Sequence, residues 1–277
     1  MVRISALGLA LSIYPGAVLS SQSQAAVELE RQELREWMGS SPVSPLRAVA
    51  VRPIGAGLSI GPESADVPLA GVAESRLLQD GGRVRLLAGG GQGNVPRTVA
   101  RGRPIRLGQW QLLVTGPSGR AAVTVFRSEG RPAKPPEWFP YDSTLRLIVS
   151  LIPSRRPEAV RLLAPDGVEV EATEAGTVAV RIQGKAHTLR VFRMPGTADE
   201  ESELEIYFSD VTSGRGTYPA GRFASLIPAG GDRYVLDLNR ARNPFCAYNT
   251  VYPCPAPWRG NALGVPVRAG EKYVGEQ

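Results

Sequence analysis

The sequence predicts a mainly β protein in which an N-terminal helix is followed by two packed antiparallel β modules of sandwich or barrel type. Short apolar runs recur with a period of two, each ended by Gly, Pro or Asp. The 31 glycines and 24 prolines follow no repeating period, as expected of many tight turns. Only one stretch places apolar residues at helical spacing. With 43% apolar and 21% charged residues in 277, the chain has the composition of a folded protein and the length for two modest cores.

Residues 1–25 read as a signal peptide. Arg3 supplies the positive start, a mostly apolar stretch runs from Ile4 to Leu19, and Ser23-Gln24-Ala25 offers the small residues of a cleavage site. The expectation is export to a periplasmic or extracellular space after cleavage near Ala25. No later run approaches membrane-spanning length, so no transmembrane segment is expected in the mature chain. Residues 26–40 read as the helix: Val27, Leu34, Trp37 and Met38 share a face, Glu28 and Arg31 stand three apart, and Gly39 offers a stop. Trp37 is the expected anchor onto the following sheet.

Residues 41–128 form the first expected module. "AVAVRPIG", "LSIG", "VRLLAG", "RPIRLG", "WQLLVTG" and "AAVTVFR" are its strands. "GLSIG" matches G-x-S-x-G, but Pro62 follows it and no helical period does, so the context of a nucleophile elbow is missing. "GGGQG" at 89–93 lacks the strand–loop–helix setting of a phosphate cradle and reads as a turn. The stretch "LSIGPESADVPL" resembles the second-strand signature of forkhead-associated domains, which implies a sandwich. Pro62 stands where those domains carry an Arg, and Ser75 is followed by Arg-Leu-Leu, so phosphopeptide recognition is not implied.

Residues 129–142, with four prolines and the aromatics Trp138, Phe139 and Tyr141, read as a linker whose aromatics pack against a neighbour. The second module spans 143–277, with strands expected at "LRLIVSLIP", "GVEVEAT", "TVAVRIQG", "HTLRVFRM", "LEIYFSD", "RYVLDLN" and "GVPVRAG". The spacers "EAG" and "QGKA" suit tight hairpins.

The formal charge of +6 is mild and its carriers look scattered. No basic stripe with interleaved aromatics appears, which weighs against nucleic acid as a partner. Attraction to an anionic envelope would be nonspecific. A single histidine, His187, and two cysteines give no metal-ligand cluster, and no cofactor is implied. In an oxidising compartment, Cys246 and Cys254 read as a disulfide closing a short loop.

The C-terminal third concentrates the polar chemistry. One block holds Phe208, Asp210, Thr212, Ser213, Gly214, Thr217, Tyr218, Gly221 and Arg222. A second holds Asp237, Asn239, Asn243, Pro244, Cys246 and Tyr248, then Cys254-Pro255, and Ala269-Gly270-Glu271-Lys272 closes the series. This ordered series resembles the signature of the DUF1684 family, which implies a fold neighbourhood and no established activity.

Two readings of the region stand side by side. In the first, Asn and Asp close turns and a buried Arg pairs with carboxylates, as internal bracing. In the second, Arg222 and Lys272 fix an anionic group of a small polar ligand, Asn239 and Asn243 read its hydroxyls or amides, and Tyr218 and Tyr248 wall a pocket near the Cys246–Cys254 loop. The function expected is a binding or envelope-associated module. The alternative is a hydrolase-like enzyme with Asp210 or Asp237 as base and Arg222 as clamp on an anionic or sugar-like substrate. Oligomeric state leaves no trace in the sequence.

Overall fold

The computed structural model describes residues 24–89, 95–128, 135–195, 202–256 and 258–273. The expected signal peptide up to residue 23, most of the glycine run and the first six linker positions lie outside them. Helix α1 (Gln24–Ser40) opens the described chain. Its buried residues are Val27, Arg31 and Met38, and Trp37 is only half-buried. The expected Trp37 anchor is therefore replaced by Arg31, which lies on the same stripe as Val27 and Met38, with Trp37 at its border. Arg31 Nη2 donates to Asn239 O at 3.1 Å, and Nη1 to Glu28 Oε1 at 3.0 Å.

The first module consists of β1 (Ala48–Pro53), β2 (Gly57–Gly61), β3 (Val67–Pro68), β4 (Ser75–Asp80), β5 (Arg83–Leu87), β6 (Arg97–Val99), β7 (Ile105–Leu107), β8 (Trp110–Thr115) and β9 (Ala122–Arg127). A four-stranded sheet β1-β9-β8-β7 faces a five-stranded sheet β3-β2-β4-β5-β6. Ile60, Leu77, Leu86, Leu112, Val123 and Val125 belong to the core between them. One pairing departs from the antiparallel expectation, since β3 joins β2 in parallel. In β9 the run Ala122–Phe126 is buried at every position because its sheet is covered on both faces. Val123 and Val125 face the sandwich core, whereas Phe126 joins Ala48, Val51 and Leu113 against the second module.

The second module consists of β10 (Arg146–Pro153), β11 (Ala159–Leu163), β12 (Glu169–Ile182), β13 (Lys185–Met194), β14 (Glu203–Phe208), β15 (Arg222–Pro228) and β16 (Arg233–Asp237). They bond in the order β10-β16-β15-β14-β13-β12-β11, and β10 also pairs with β12. That extra pairing closes six strands into a barrel and leaves β11 outside the ring. The closure depends on β12, which gives its first half to β11 and its second half to β10.

"EAG" is therefore a bulge inside one fourteen-residue strand and not the expected hairpin. Gly176 there has φ +148°, and a Cβ would stand 2.1 Å from Ile152 O. The Gln183-Gly184 turn between β12 and β13 is a hairpin, as expected, with both residues at positive φ.

Val178, Val180, Leu189, Val191, Ile206 and Leu236 fill the barrel, joined by Leu263, Val265, Val267 and Ala269 from the C-terminal segment. That segment alternates like a strand, with Gly264 and Arg268 exposed, but it joins none of the sheets. It caps one end of the barrel as a plug. Replacing Gly176 by Val should lower stability by at least about 2 kcal/mol, because both φ and the Ile152 carbonyl oppose a side chain. Urea unfolding of the two proteins measures this.

Candidate functional site

A buried ion pair holds the plug. Arg222, the first residue of β15, is 1% exposed and reaches along the segment. Its Nη2 donates to Val267 O and to Asp210 Oδ2, both at 2.9 Å. Its Nη1 donates to Ala269 O and, at 3.3 Å, to Glu271 O. Asp210 Oδ1 accepts from Val267 N at 3.1 Å and from Thr212 N at 2.8 Å. Thr212 Oγ1 lies 2.9 Å from Thr217 Oγ1, which closes the turn that follows β14. Both terminal nitrogens of Arg222 and both carboxylate oxygens of Asp210 are thus engaged inside the protein. Removing either charge of such a pair leaves the other buried and unpaired, which costs about 3–5 kcal/mol.

A second network ties the helix to the barrel rim. Asp237, at the end of β16, accepts from Asn239 N at 3.0 Å, from Asn239 Nδ2 at 2.9 Å and from Arg240 Nη1 at 2.7 Å. Arg240 grips Glu30 of α1 through two bonds of 2.7 and 2.8 Å. Asn239 meets the backbone of Asp142 as a strand would, its Oδ1 accepting from Asp142 N and its Nδ2 donating to Asp142 O, each at 2.8 Å.

A third cluster surrounds Glu271, which the sequence marks only as part of Ala269-Gly270-Glu271-Lys272. Its carboxylate is buried and accepts from Asn243 N at 2.7 Å and from the Tyr248 hydroxyl. Asn243 Nδ2 donates to Lys272 O at 3.0 Å, and Asn243 Oδ1 has no hydrogen-bond partner among the described residues. Burial pushes the Glu271 carboxyl up to about 7, although Tyr248, the Asn243 N–H, Arg242 and Arg222 all pull it down. Lys272 does not reach this cluster with its side chain; Nζ lies 5.4 Å from the Phe139 ring centroid. The aromatic end of the expected linker is fastened here, with Trp138 bridging Glu271 and Phe139 N donating to Gly270 O at 3.0 Å.

The cysteine loop faces elsewhere. Cys246 and Cys254 stand at disulfide distance with Cα atoms 5.5 Å apart, inside the range of a bridge. The Tyr218 hydroxyl lies 3.3 and 3.2 Å from their sulfurs. Cys246 and Tyr252 pack with Ala48, Val51, Leu113 and Phe126 of the four-stranded sheet. Asn249 Nδ2 donates to Pro45 O at 3.0 Å and to Ala48 O at 2.8 Å. The loop is an inter-module contact.

The open cleft of this end of the barrel lies beside these networks. About 670 Å³ in volume, it is lined by Asp142, Thr144, Arg181, Gln183, Pro266 and Arg268, among others. Asp142 is the residue that Asn239 holds, and Arg268 stands between Val267 and Ala269, two of the three residues whose carbonyls Arg222 grips. Gln183 Nε2 donates to Pro266 O at 3.2 Å, joining the hairpin to the plug. None of the sequence-selected residues Asp210, Asp237, Arg222, Asn239, Asn243, Tyr218, Tyr248 or Lys272 lines it, and neither does the cysteine loop. Arg181, Gln183 and Arg268 carry no motif signal; only the closed barrel brings them together. Of the remaining candidates, Ser59 is engaged by Asp66 at 2.7 Å, and no group of metal-ligating side chains occurs among the described residues. His187 lies on β13 opposite Val180.

A carboxyl whose pKa is higher in the folded than in the unfolded chain stabilises the fold in its protonated form. That contribution is present below the ordinary value of 4.5 and is lost as pH rises through about 7. Glu271→Gln, which stays neutral, should therefore gain on the parent by more than about 1 kcal/mol as pH rises through this window. Denaturant titrations of both proteins across the window read the difference.

No curated protein matches the chain. A solution NMR structure of an uncharacterised protein from Haloarcula marismortui is 33% identical, covering 50% of this chain and 76% of that one, with a TM-score of 0.44. Among the described residues no helix is long and apolar enough to cross a membrane. The family model "Protein of unknown function (DUF1684)" matches residues 135–272, which hold the barrel, the plug and the three networks apart from Glu30 of α1, and leave the sandwich outside. The chain belongs to the DUF1684 family.

Proposed function

We propose that the protein is an exported, envelope-associated binding module that takes a small polar ligand bearing anionic groups at the barrel-end cleft. One observation carries this reading: Arg181 and Arg268 line the cleft without an acidic partner among the described residues. Guanidinium groups of this kind match carboxylate and phosphate oxygens in pairs. Arg181 Nη1 is steadied by Gly184 O at 2.6 Å, Gln183 Nε2 keeps a second hydrogen beside the one given to Pro266 O, and the Thr144 hydroxyl, which donates to Asp142 Oδ1, can accept from a ligand hydroxyl. The DUF1684 signature residues then serve as positioning residues, fixing the cleft walls from behind. The enzymatic alternative loses its support, because Asp210 and Asp237 spend their oxygens on internal donors.

Thermal unfolding in millimolar phosphate, succinate and a sugar phosphate tests the cleft. At least one dianion should raise the midpoint, and Arg181→Gln with Arg268→Gln should remove the shift. If no dianion shifts it, or if the double variant responds like the parent, the reading fails. Export has its own measurement: the chain expressed in bacteria from Met1 should be recovered outside the cytoplasm beginning at Ala26.

A further inference from the structure

The positive charge is not shared between the modules. Residues 41–128 hold eleven arginines, no lysine and four acidic residues, a net +7 that exceeds the +6 of the whole chain. Three of these carriers, scattered along the sequence, come together where two strand edges meet. β6 ends the five-stranded sheet and β7 ends the four-stranded one, each with a partner on one side only among the described residues. A groove of about 350 Å³ is lined from these two strands and the turn between them. Its cations are Arg97, Arg103 and Arg106, all exposed and none in an ion pair among the described residues. Leu86, Val99 and Ile105 give it an apolar floor.

We infer that this groove binds an extended acidic polypeptide segment in which carboxylate and apolar side chains alternate. Three features of the groove each match one feature of such a segment. The guanidiniums pair with carboxylates, and as arginines they do so through two parallel bonds. The apolar floor receives the alternate side chains. The open edges of β6 and β7 offer backbone groups to a strand laid beside them. A polyphosphate or a sulfated polysaccharide would use only the first feature. Charge on a sheet edge also keeps copies of a protein from pairing, and that role alone predicts no specific ligand.

The test uses the full chain and fluorescein-labelled Ac-(Glu-Val)4-NH2, read by fluorescence anisotropy at low salt. Saturable binding is expected, with none for the (Lys-Val)4 peptide. Arg97→Gln with Arg103→Gln and Arg106→Gln should weaken it by about tenfold or more. The corresponding triple lysine variant keeps the charge and the solubility, and should still weaken binding several-fold. N-methylating alternate amides of the peptide should abolish binding if the backbone is paired. Absence of saturable binding overturns the inference, as does a lysine variant that binds like the parent. A methylated peptide that binds unchanged, with polyphosphate displacing it, assigns the groove to polyanions and also overturns it.

Discussion

The fold depends on the buried pair of Arg222 and Asp210 because it does the work of a missing strand. The plug at residues 263–269 alternates inward and outward like a strand, yet none of the sheets takes it in. Leu263 N and Val265 O bond the backbone at Ser209 and Val211, but the groups farther along, from Val267 on, would be stranded in the core without the pair, at a cost of about 1–3 kcal/mol each. One guanidinium covers the carbonyls of Val267, Ala269 and Glu271, and one carboxylate covers the N–H of Val267. The ion pair is therefore less a source of net attraction than a set of hydrogen-bond partners that arrives with its own charge neutralised. Hydrophobic replacements of equal volume would satisfy the charge balance but not the backbone.

The other polar networks repeat this logic at joints. Asn239 stands in for a strand beside Asp142, and Asn249 for one beside Pro45 and Ala48. Glu30 and Arg240 clamp the helix to the rim. The cysteine pair steadies a loop that lays Tyr252 and Phe245 against the sandwich. Polar side chains thus bind irregular segments to regular ones, and the cleft inherits its shape from them. The polar residues that could meet a ligand there, Arg181, Gln183 and Arg268, are exposed and ordinary, above a floor of buried Leu145 and Ile182.

Much of the architecture was legible from period-two alternation, because a half-buried strand writes its burial directly into its sequence. The strand "TVAVRIQG", with Val178, Val180 and Ile182 buried between more exposed neighbours, and the hairpin at Gln183-Gly184 needed nothing more. "EAG" could not be told from "QGKA" locally. Whether a glycine turns the chain or lets it slip past a neighbour depends on β10 arriving at Gly176. Trp37 lost its place to Arg31 because the partner of the helix is a backbone carbonyl rather than an apolar sheet face. The signature residues were visible and their bracing role was one of two readings. Arg181 and Arg268 were not visible, since 87 positions and a barrel closure separate them. Glu271 went unselected because nothing in an acidic residue beside a lysine announces burial.

The plug follows every barrel strand in chain order, and this bears on how the protein is made. As the chain emerges from a ribosome or a translocation channel, all six ring strands are complete by Asp237, some thirty residues before Val267. Until the plug arrives, Arg222 and Asp210 hold a charge pair at an unsealed barrel end, and Val178, Val191 and Ile206 face an incomplete core. The module thus stays unfinished while it is being synthesised and locks late, when its last apolar teeth engage.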